Sequence, residues 1–272
     1  MAKILDGKFV ATKMKQELKE YIDKHNIDAS LTILQVGDNP ASNVYIRNKQ
    51  KACEEVGISS KVVKYDDVFD LQTDILTYNR HPVMVQLPLT EGCDEQTVLN
   101  MINSRLDADC LTTSNLGKLF VGNHKFAPCT AQGIIDLLDY YDIPIEGKNA
   151  VVIGRSNIVG KPISLLLLER NATVTICHSK TEHLIEHTKN ADILIVAIGK
   201  PKFITADMVK ENSVVVDVGI NRDENGKLCG DVDFESVEPK VGWISPVPNG
   251  VGAMTVVELL KNTLILDDKY KN

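Results

Sequence analysis

Residues 149–162, with the sequence NAVVIGRSNIVGKP, constrain the fold of this chain more than any other stretch. Residues 150–153 are a short apolar run rich in β-branched side chains, which is typical of a buried parallel strand. A Gly-Arg-Ser turn follows, and Pro162 then opens an apolar stretch that is long enough for a helix. A strand, a tight glycine turn and a helix together bring backbone N–H groups up to a phosphate. The stretch therefore predicts a nucleotide-binding unit.

The turn itself departs from the two common phosphate-binding motifs. A G-x-G-x-x-G motif would need three glycines, but the chain keeps only Gly154 and has Ser156 and Val159 at the other two positions. A Walker A loop needs Ser or Thr after its lysine, whereas Lys161 is followed by Pro162. Taken alone, the turn is equally well interpreted as an ordinary strand-to-helix connection. The rest of the chain must decide between the two.

Composition and charge exclude several classes of protein. The 272 residues are enough for two domains, and 43% hydrophobic with 25% charged residues is an ordinary globular composition. A net charge of −7 argues against a nucleic-acid partner, and no apolar run is long enough for a membrane span. The six cysteines lack C-x-x-C spacing, which favours reduced thiols in a cytoplasmic protein. His183 and His187 are four apart, but ordinary surface histidines are the better interpretation and no metal site is predicted.

Strand and helix patterns alternate along the chain. In the first part, strands are predicted at 31–36, 60–65 and 82–87. In the second part, strands are predicted at 150–153, 173–177, 192–197 and 213–218, with helices at 162–170, 181–189 and 205–210. This alternation predicts parallel sheets with helices on their faces.

We therefore expect an α/β fold made of two α/β domains with a cleft between them. Residues 1–122 form the first predicted domain, and residues 123–253 form the second, a Rossmann-type nucleotide-binding domain. The chain closes with a Gly/Pro-rich loop and an amphipathic helix at 254–272. We expect this C-terminal helix to pack back on the first domain.

Polar side chains stand near the predicted carboxyl ends of the early strands, where parallel sheets bind ligands. Tyr45 and Lys49 are four residues apart on one helix, so they share a face. An amine beside a phenol in a partly desolvated cleft can transfer protons as well as neutralise charge. Gln86 can hydrogen-bond that amine or a substrate carbonyl, and a carboxylate of Asp107 or Asp109 suits an amino-pyrimidine. Each has a plain alternative: a solvated lysine, a half-buried tyrosine, a strand-end amide or a turn aspartate.

The residues that follow the predicted strand at 173–177, the second strand of the nucleotide unit, indicate which cofactor is bound. A fold that prefers NAD usually places an acid there, about twenty residues after the glycine turn, for the ribose hydroxyls. Here the strand is followed by His178, Ser179 and Lys180, with Glu182 as the first acid, and Arg155 lies in the first turn. A cation and a hydroxyl suit a 2′-phosphate, so NADP is predicted over NAD.

Together these segments closely resemble the bifunctional methylenetetrahydrofolate dehydrogenase/methenyltetrahydrofolate cyclohydrolase family. The resemblance covers nearly the whole chain and is carried by VGDNPASNVYIRNKQKACEEVGI, VQLPL, DADCLTTSNLGKL, PCTAQGI, VVIGRSNIVGKP, CHSKT, ADILIVAIGKP, VVVDVGIN, GDVDF and PVPNGVGAMT. It implies that 5,10-methylenetetrahydrofolate is oxidised with NADP and that the methenyl product is hydrolysed to 10-formyltetrahydrofolate. It also implies a folate-binding catalytic first domain, an NADP-binding second domain and a homodimer.

The resemblance also implies roles for single residues. Lys49 would transfer protons in the cyclohydrolase step while Gln86 holds it, Tyr45 would pack on the folate rings, and Asp109 would bind the pterin end. Further folate contacts are implied at Leu87, Gly250, Val251, Gly252, Met254 and Thr255. Cofactor contacts are implied at Thr130, Gly154, Arg155, Ser156, Val159, Ser179, Gly199 and Ile220.

Three segments depart from the family pattern. Family members usually have glycine where this chain has Cys110, and a positive φ there would strain the cysteine. The closing loop has Asn249 in place of Gly, which tolerates a left-handed backbone, and Ala253 in place of Pro. Ala131 also replaces a Pro. Two alternatives therefore stay open: an enzyme that retains only the cyclohydrolase step, and a catalytically silent protein that binds NADP or folate.

Overall fold

The computed structural model describes residues 1–78, 80–90 and 92–267, and the chain forms two compact units. The unit called here the early unit comprises residues 12–129 together with the chain from Val256 onward. The late unit comprises residues 1–11 and 130–255. Both contain parallel sheets with helices, which confirms the predicted α/β class. The cleft between the two domains stays a prediction.

The strands and helices follow one another along the chain as predicted for an α/β protein. The strands are β1 (Lys3–Ile4), β2 (Ser30–Val36), β3 (Ser59–Tyr65), β4 (Val83–Val85), β5 (Asn149–Ile153), β6 (Thr173–Cys177), β7 (Ile193–Val196), β8 (Val214–Asp217), β9 (Asn221–Arg222), β10 (Leu228–Cys229) and β11 (Trp243–Ile244). The helices are α1 (Gly7–His25), α2 (Pro40–Val56), α3 (Val68–Ile75), α4 (Glu95–Leu99), α5 (Thr113–Phe120), α6 (Cys129–Tyr140), α7 (Gly160–Glu169), α8 (Leu184–Lys189), α9 (Phe234–Val237) and α10 (Val251–Leu266).

The early unit is built on a three-stranded parallel sheet in the order β3-β2-β4. One face of the sheet carries Leu34 and Val36, which pack in an apolar cluster with Leu71 of α3 and Val98 of α4. Residues alternate between the faces of a strand, so Gln35 and Gln86 point to the opposite face, toward α2. The hydrogen bond of 2.8 Å from Gln35 Nε2 to Asn43 Oδ1 on α2 fits that orientation.

The C-terminal helix α10 packs in the early unit from Val256 onward, as the sequence predicts. The buried Asn262 amide donates hydrogen bonds of 3.0 and 3.1 Å to the carbonyl oxygens of Ala108 and Ala127. The predicted start of this helix, residue 254, is too late, because α10 already starts at Val251. Its last predicted residues, 268–272, lie outside the described residues.

The late unit is built on a six-stranded parallel sheet in the order β1-β11-β8-β7-β5-β6. Every residue of β7 and β8 is buried, as expected for central strands covered on both faces. The strands β6, β5, β7, β8 and β11 have the 2-1-3-4-5 order of a doubly wound, Rossmann-like fold. A small antiparallel pair, β9 and β10, follows β8.

Two details of the late unit differ from the expectation. Residues 1–11, assigned by the sequence analysis to the first domain, belong to the late unit because β1 pairs with β11. The helix predicted at 205–210 is only a short 3₁₀ turn at Ala206–Met208. Its buried residues Met208 and Val209 are adjacent rather than a helical turn apart, and Val209 is already extended.

Among the described residues, no helix has both the length and the apolarity that a membrane span would require.

The turn after β5 generates a stability prediction. Gly154 has φ +122°, and a Cβ added there would collide with the carbonyl oxygen of Ala197. We expect Gly154→Ala to lower the free energy of unfolding by about 3 kcal/mol, because it adds both backbone strain and a backbone collision. Urea denaturation of the purified variant measures this loss.

Gly226→Ala is the matched control. Gly226 also has a positive φ, +76°, but a Cβ there would meet no atom within 4 Å. Only backbone strain of about 1 kcal/mol is expected at this position. Equal losses for the two variants would show that the close approach to Ala197 does not constrain the turn.

Candidate functional site

Lys49 lies on the buried face of α2, at a position where an apolar residue would be usual. Its helical neighbours on that face, Ile46 and Cys53, are buried, and Lys49 itself is only 8% exposed. A buried amine needs a hydrogen-bond acceptor to offset its desolvation. Gln86, the residue after β4, supplies it: Lys49 Nζ donates a 3.0 Å hydrogen bond to Gln86 Oε1.

The orientation of the Gln86 amide is fixed at its other end. Gln86 Nε2 donates a 2.7 Å hydrogen bond to the carbonyl oxygen of Leu87, which leaves Oε1 for Lys49. A neutral amide oxygen can accept a hydrogen bond from the amine in either protonation state. The pair can therefore hold the amine in place while a proton is gained or lost.

Two further residues of α2 flank the amine, each one turn away. Tyr45 is 40% exposed, so its ring is available to a ligand. Cys53 is buried, and burial raises the pKa of its thiol to about 12, against smaller opposing effects of a hydrogen bond to Ser60 and the charge of Lys49. Cys53 therefore stays a neutral thiol at physiological pH.

The loop that carries Asp109 is held from several sides. Asp107 is buried, and its Oδ2 accepts hydrogen bonds of 2.8 Å from the Thr112 N–H and 3.0 Å from Asn115 Nδ2. Burial raises the pKa of the Asp107 carboxyl, and these hydrogen bonds oppose that shift. Asp107 thus shapes the loop, while Asp109 is half-buried.

Cys110 has the left-handed backbone that the family glycine suggests. Its φ is +60°, so the strain predicted for a cysteine at this position is present. Its thiol contacts the carbonyl oxygen of Phe126 at 3.6 Å, and the Cys129 thiol contacts that of Ala108 at 3.4 Å. Asn262, which the sequence analysis did not single out, bonds the same Ala108 carbonyl from α10. Neighbouring contacts therefore hold the loop despite the strain.

In the late unit, the turn after β5 is closed by its own backbone. A Cβ at Gly160 would collide with the carbonyl group of Gly154, so both positions require glycine. Ser156 Oγ accepts hydrogen bonds of 3.1 Å from the Val159 N–H and 3.3 Å from the Gly160 N–H. Arg155 and Ser156 are exposed. The tight glycine turn of the sequence analysis is therefore present at the start of α7.

Four of the predicted cofactor residues follow four neighbouring parallel strands. Gly154 comes after β5, Ser179 after β6, Gly199 after β7 and Ile220 after β8. The carboxyl ends of parallel strands meet at one edge, and the strand order reverses between β5 and β7, which is where doubly wound sheets bind ligands. The structure therefore brings these four residues to one edge.

The predicted folate contacts near the C-terminal helix lie in the late unit, whereas Lys49, Gln86 and Asp109 lie in the early unit. Asn249 has φ +81°, which asparagine tolerates. Thr130 Oγ1 and Thr255 Oγ1 form a 3.1 Å hydrogen bond that joins α6 to α10. A Cβ on Gly252 would lie 3.5 Å from the Ile220 side chain, so this segment borders the predicted cofactor residues.

Two buried carboxylates beneath this edge were missed by the sequence analysis. Asp217 ends β8, and Asp231 follows β10; both are buried. Burial raises the pKa of Asp217 to about 7, while hydrogen bonds from the backbone N–H groups of Val232, Asp231 and Gly219 oppose that shift. Only the DVG and GDVD sequence patterns around them could have drawn attention to these residues.

Comparisons with known proteins cover nearly the whole chain. Residues 5–109 match the family profile "Tetrahydrofolate dehydrogenase/cyclohydrolase, catalytic domain", and residues 128–271 match "Tetrahydrofolate dehydrogenase/cyclohydrolase, NAD(P)-binding domain". The bifunctional protein FolD of Oceanobacillus iheyensis is 49% identical over 97% of this chain and 96% of its own. That of Bacillus subtilis is 46% identical over the same shares.

Solved structures give the same picture. The FolD methylenetetrahydrofolate dehydrogenase/cyclohydrolase of Campylobacter jejuni is 44% identical with a TM-score of 0.94, covering 98% of this chain and 99% of that one. The Trypanosoma brucei methylenetetrahydrofolate dehydrogenase-cyclohydrolase, crystallised with NADP cofactor and an inhibitor, is 32% identical with a TM-score of 0.91 over 98% of both chains.

Proposed function

This chain belongs to the tetrahydrofolate dehydrogenase/cyclohydrolase family and is a bifunctional enzyme of folate one-carbon metabolism, and we propose how its residues perform the two steps. The first step oxidises 5,10-methylenetetrahydrofolate to 5,10-methenyltetrahydrofolate with NADP. The second hydrolyses that product to 10-formyltetrahydrofolate. The observation that carries the assignment of roles is the buried hydrogen bond between Lys49 and Gln86.

The late unit would hold the cofactor, NADP, which when bound accepts the hydride lost from the folate methylene carbon. The glycine turn at Gly154 and the residues Ser156 and Val159 would meet the phosphates at the start of α7. Gly199 and Ile220 would also contact the cofactor, and so would Thr130 of α6. Their shared position at the carboxyl edge of the sheet supports this assignment.

The 2′-phosphate of NADP would be recognised by Arg155 and Ser179. Both side chains are exposed, and they follow the adjacent strands β5 and β6. A guanidinium and a hydroxyl can both donate hydrogen bonds to a phosphate, whereas the acid that binds a ribose diol in NAD-preferring folds would repel it.

In the second step, water adds to the methenyl carbon, a cation shared by two folate nitrogens, and the ring then opens. One carbon–nitrogen bond breaks as the ring opens, the freed nitrogen takes one of the two water protons, and the other is released as the cation becomes a neutral product. The step therefore needs a group that can hold and release a proton. The Lys49 amine would do so, with Gln86 Oε1 holding Nζ in either protonation state.

The remaining residues of the proposed folate site would bind and orient. Tyr45 would pack on the folate rings, which its 40% exposure permits, and Asp109 would accept hydrogen bonds from the amino-pyrimidine. The other folate contacts proposed on the family resemblance are Leu87, Gly250, Val251, Gly252, Met254 and Thr255.

Paired absorbance assays on the purified protein test the proposed function. NADPH appearance from methylenetetrahydrofolate reports the dehydrogenase, and loss of methenyl-folate absorbance reports the cyclohydrolase. Turnover in the second assay alone would favour a monofunctional cyclohydrolase. Binding of both ligands without turnover would favour a silent binding protein.

We further propose that the protein works in the cytoplasm as a homodimer. All six cysteines are free thiols, as expected in a reducing compartment. The edge strand β6 exposes 42% of Ile176, and an exposed apolar edge of this kind suits pairing with a second copy.

The dimer proposal gives a mass prediction. We expect light scattering to report twice the 30.0 kDa of the chain for the wild type. Ile176→Lys places a charge on the edge strand and should shift the mass toward one chain. A wild-type mass of one chain at micromolar concentration would exclude the dimer.

Lys49→Ala tests the proton-transfer role. We expect the cyclohydrolase rate to fall at least about a hundredfold, which is the scale of a lost general acid–base group. Lys51→Ala, on the exposed side of the same helix, is the matched control and should keep its rate within twofold. A Lys49→Ala enzyme with full cyclohydrolase rate would exclude the role.

Cofactor preference provides a further test. Arg155→Ala and Ser179→Ala should each raise the dissociation constant for NADP by about tenfold while that for NAD changes by less than threefold, because only NADP carries the 2′-phosphate. Titration with both cofactors measures the two constants on the same variant. Equal losses for NADP and NAD would contradict recognition of the 2′-phosphate.

A further inference from the structure

The turn after β7 wraps around a carboxylate supplied by the chain itself. Asp231 is fully buried, with 0% exposure. Its Oδ2 accepts hydrogen bonds of 2.7 Å from the Ile198 N–H and 3.0 Å from the Gly199 N–H, and its Oδ1 accepts one of 2.8 Å from the Lys200 N–H. Consecutive backbone N–H groups that converge in this way form an anion-binding nest. Here the bound anion is Asp231.

The same carboxylate also reaches the loop after β8. Asn221 Nδ2 donates a 2.9 Å hydrogen bond to Asp231 Oδ1, and Asn221 directly follows Ile220. Asp231 therefore bonds to two separate loops, one carrying Gly199 and the other carrying Ile220. These are two of the residues proposed to contact the cofactor.

Asp217 fixes Asp231 from the opposite side. Asp217 Oδ1 accepts hydrogen bonds of 2.9 Å from the Asp231 N–H and 3.0 Å from the Gly219 N–H. A Cβ on Gly219 would collide with the Asp231 carboxyl group, and one on Gly230 would collide with that of Asp217. The two carboxylates are thus packed directly against the loop backbone, so the loop geometry depends on their positions.

We propose that Asp231 is a positioning residue for the nicotinamide nucleotide, because its carboxylate holds the loops of Gly199 and Ile220 in the conformation that binds NADP. The proposal rests on the proposed function, in which these two residues contact the cofactor. It goes beyond that function because the affinity for NADP would depend on Asp231, a buried residue that does not itself contact the cofactor.

The nest also limits which groups can bind the phosphates. The N–H groups of Ile198, Gly199 and Lys200 already donate to Asp231. While Asp231 occupies the nest, these three N–H groups are therefore not available to the phosphates. Loss of the carboxylate would release three donors and free both loops to shift.

Asp231→Asn tests the proposal with an isosteric side chain. Both carboxylate oxygens of Asp231 accept hydrogen bonds, whereas the amide side chain introduced by this substitution has only one oxygen. Its NH₂ group would face at least one N–H donor, so the amide cannot satisfy the whole nest. We expect the dissociation constant for NADPH, measured by its fluorescence, and the KM for NADP to rise at least about tenfold. The KM for methylenetetrahydrofolate should stay within twofold. A merely structural role would reduce kcat through loss of active enzyme and would change neither KM.

Two further variants complete the experiment. Glu235→Gln removes one negative charge from an exposed side chain four residues later and should leave both KM values within twofold. Asn221→Ala keeps the nest intact and removes only the bond to the second loop. It should raise the NADPH dissociation constant by about threefold, and it keeps the proposal testable if Asp231→Asn does not fold.

The outcomes separate this inference from the proposed function. Wild-type NADPH affinity in Asn221→Ala, or in a folded Asp231→Asn protein, would overturn the positioning role while the cofactor assignment stands. A wild-type protein that fails to bind NADPH would overturn the cofactor assignment and this inference with it.

Discussion

The hydrogen bond between Lys49 and Gln86 is the interaction on which the chemistry of the early unit depends. Lys49 occupies the sheet-facing side of α2, among residues that bury apolar surface. An amine left there without an acceptor would cost on the order of 2 kcal/mol or more. Gln86 meets this need because it follows β4 on the face that α2 covers, and its side-chain Nε2 already donates to the carbonyl oxygen of Leu87. The fold therefore fixes the amine in one place with a neutral acceptor.

In the late unit, the constraint is where functional groups can lie. Its central strands are buried on both faces, so functional groups can lie only at the strand ends. At the carboxyl edge the chain must turn tightly, and Gly154 and Gly160 allow the backbone to approach itself there. The turn after β7 is shaped instead by an internal anion, Asp231. Binding loops at one edge are thus held in two ways, one steric and one electrostatic.

Local pattern was enough to predict the three strands of the early sheet and four of the six strands of the late sheet, namely β5, β6, β7 and β8. The β-branched run at 173–177 predicted the bounds of β6 without error. The apolar run at 150–153 missed the start of β5 by one residue, and its four residues are buried and continuously apolar. The left-handed backbone at Cys110 could also be anticipated, since the family usually has glycine there. The partnership of Lys49 with Gln86 was implied by the family resemblance, and the place of Gln86 at a strand end made it possible.

Features that depend on distant partners could not be predicted in this way. Residues 1–11 join the late unit only because β1 pairs with β11, some 240 positions later in the chain. Asn262 and Asp231 are ordinary polar residues in sequence, and their importance comes from carbonyl and N–H groups that other segments bring to them. The short 3₁₀ turn at Ala206–Met208 shows the limit of composition, because helix-forming residues do not make a helix where the buried positions lack helical spacing.

The pH dependence of the cyclohydrolase rate in Gln86→Glu tests the central claim most directly. A carboxylate in place of the amide would stabilise the ammonium form of the amine it contacts. If Lys49 must release its proton for the reaction, the rising limb of the pH–rate profile moves to higher pH by about one unit or more. A Gln86→Glu enzyme with the wild-type rate and an unshifted profile would contradict proton transfer by the Lys49–Gln86 pair.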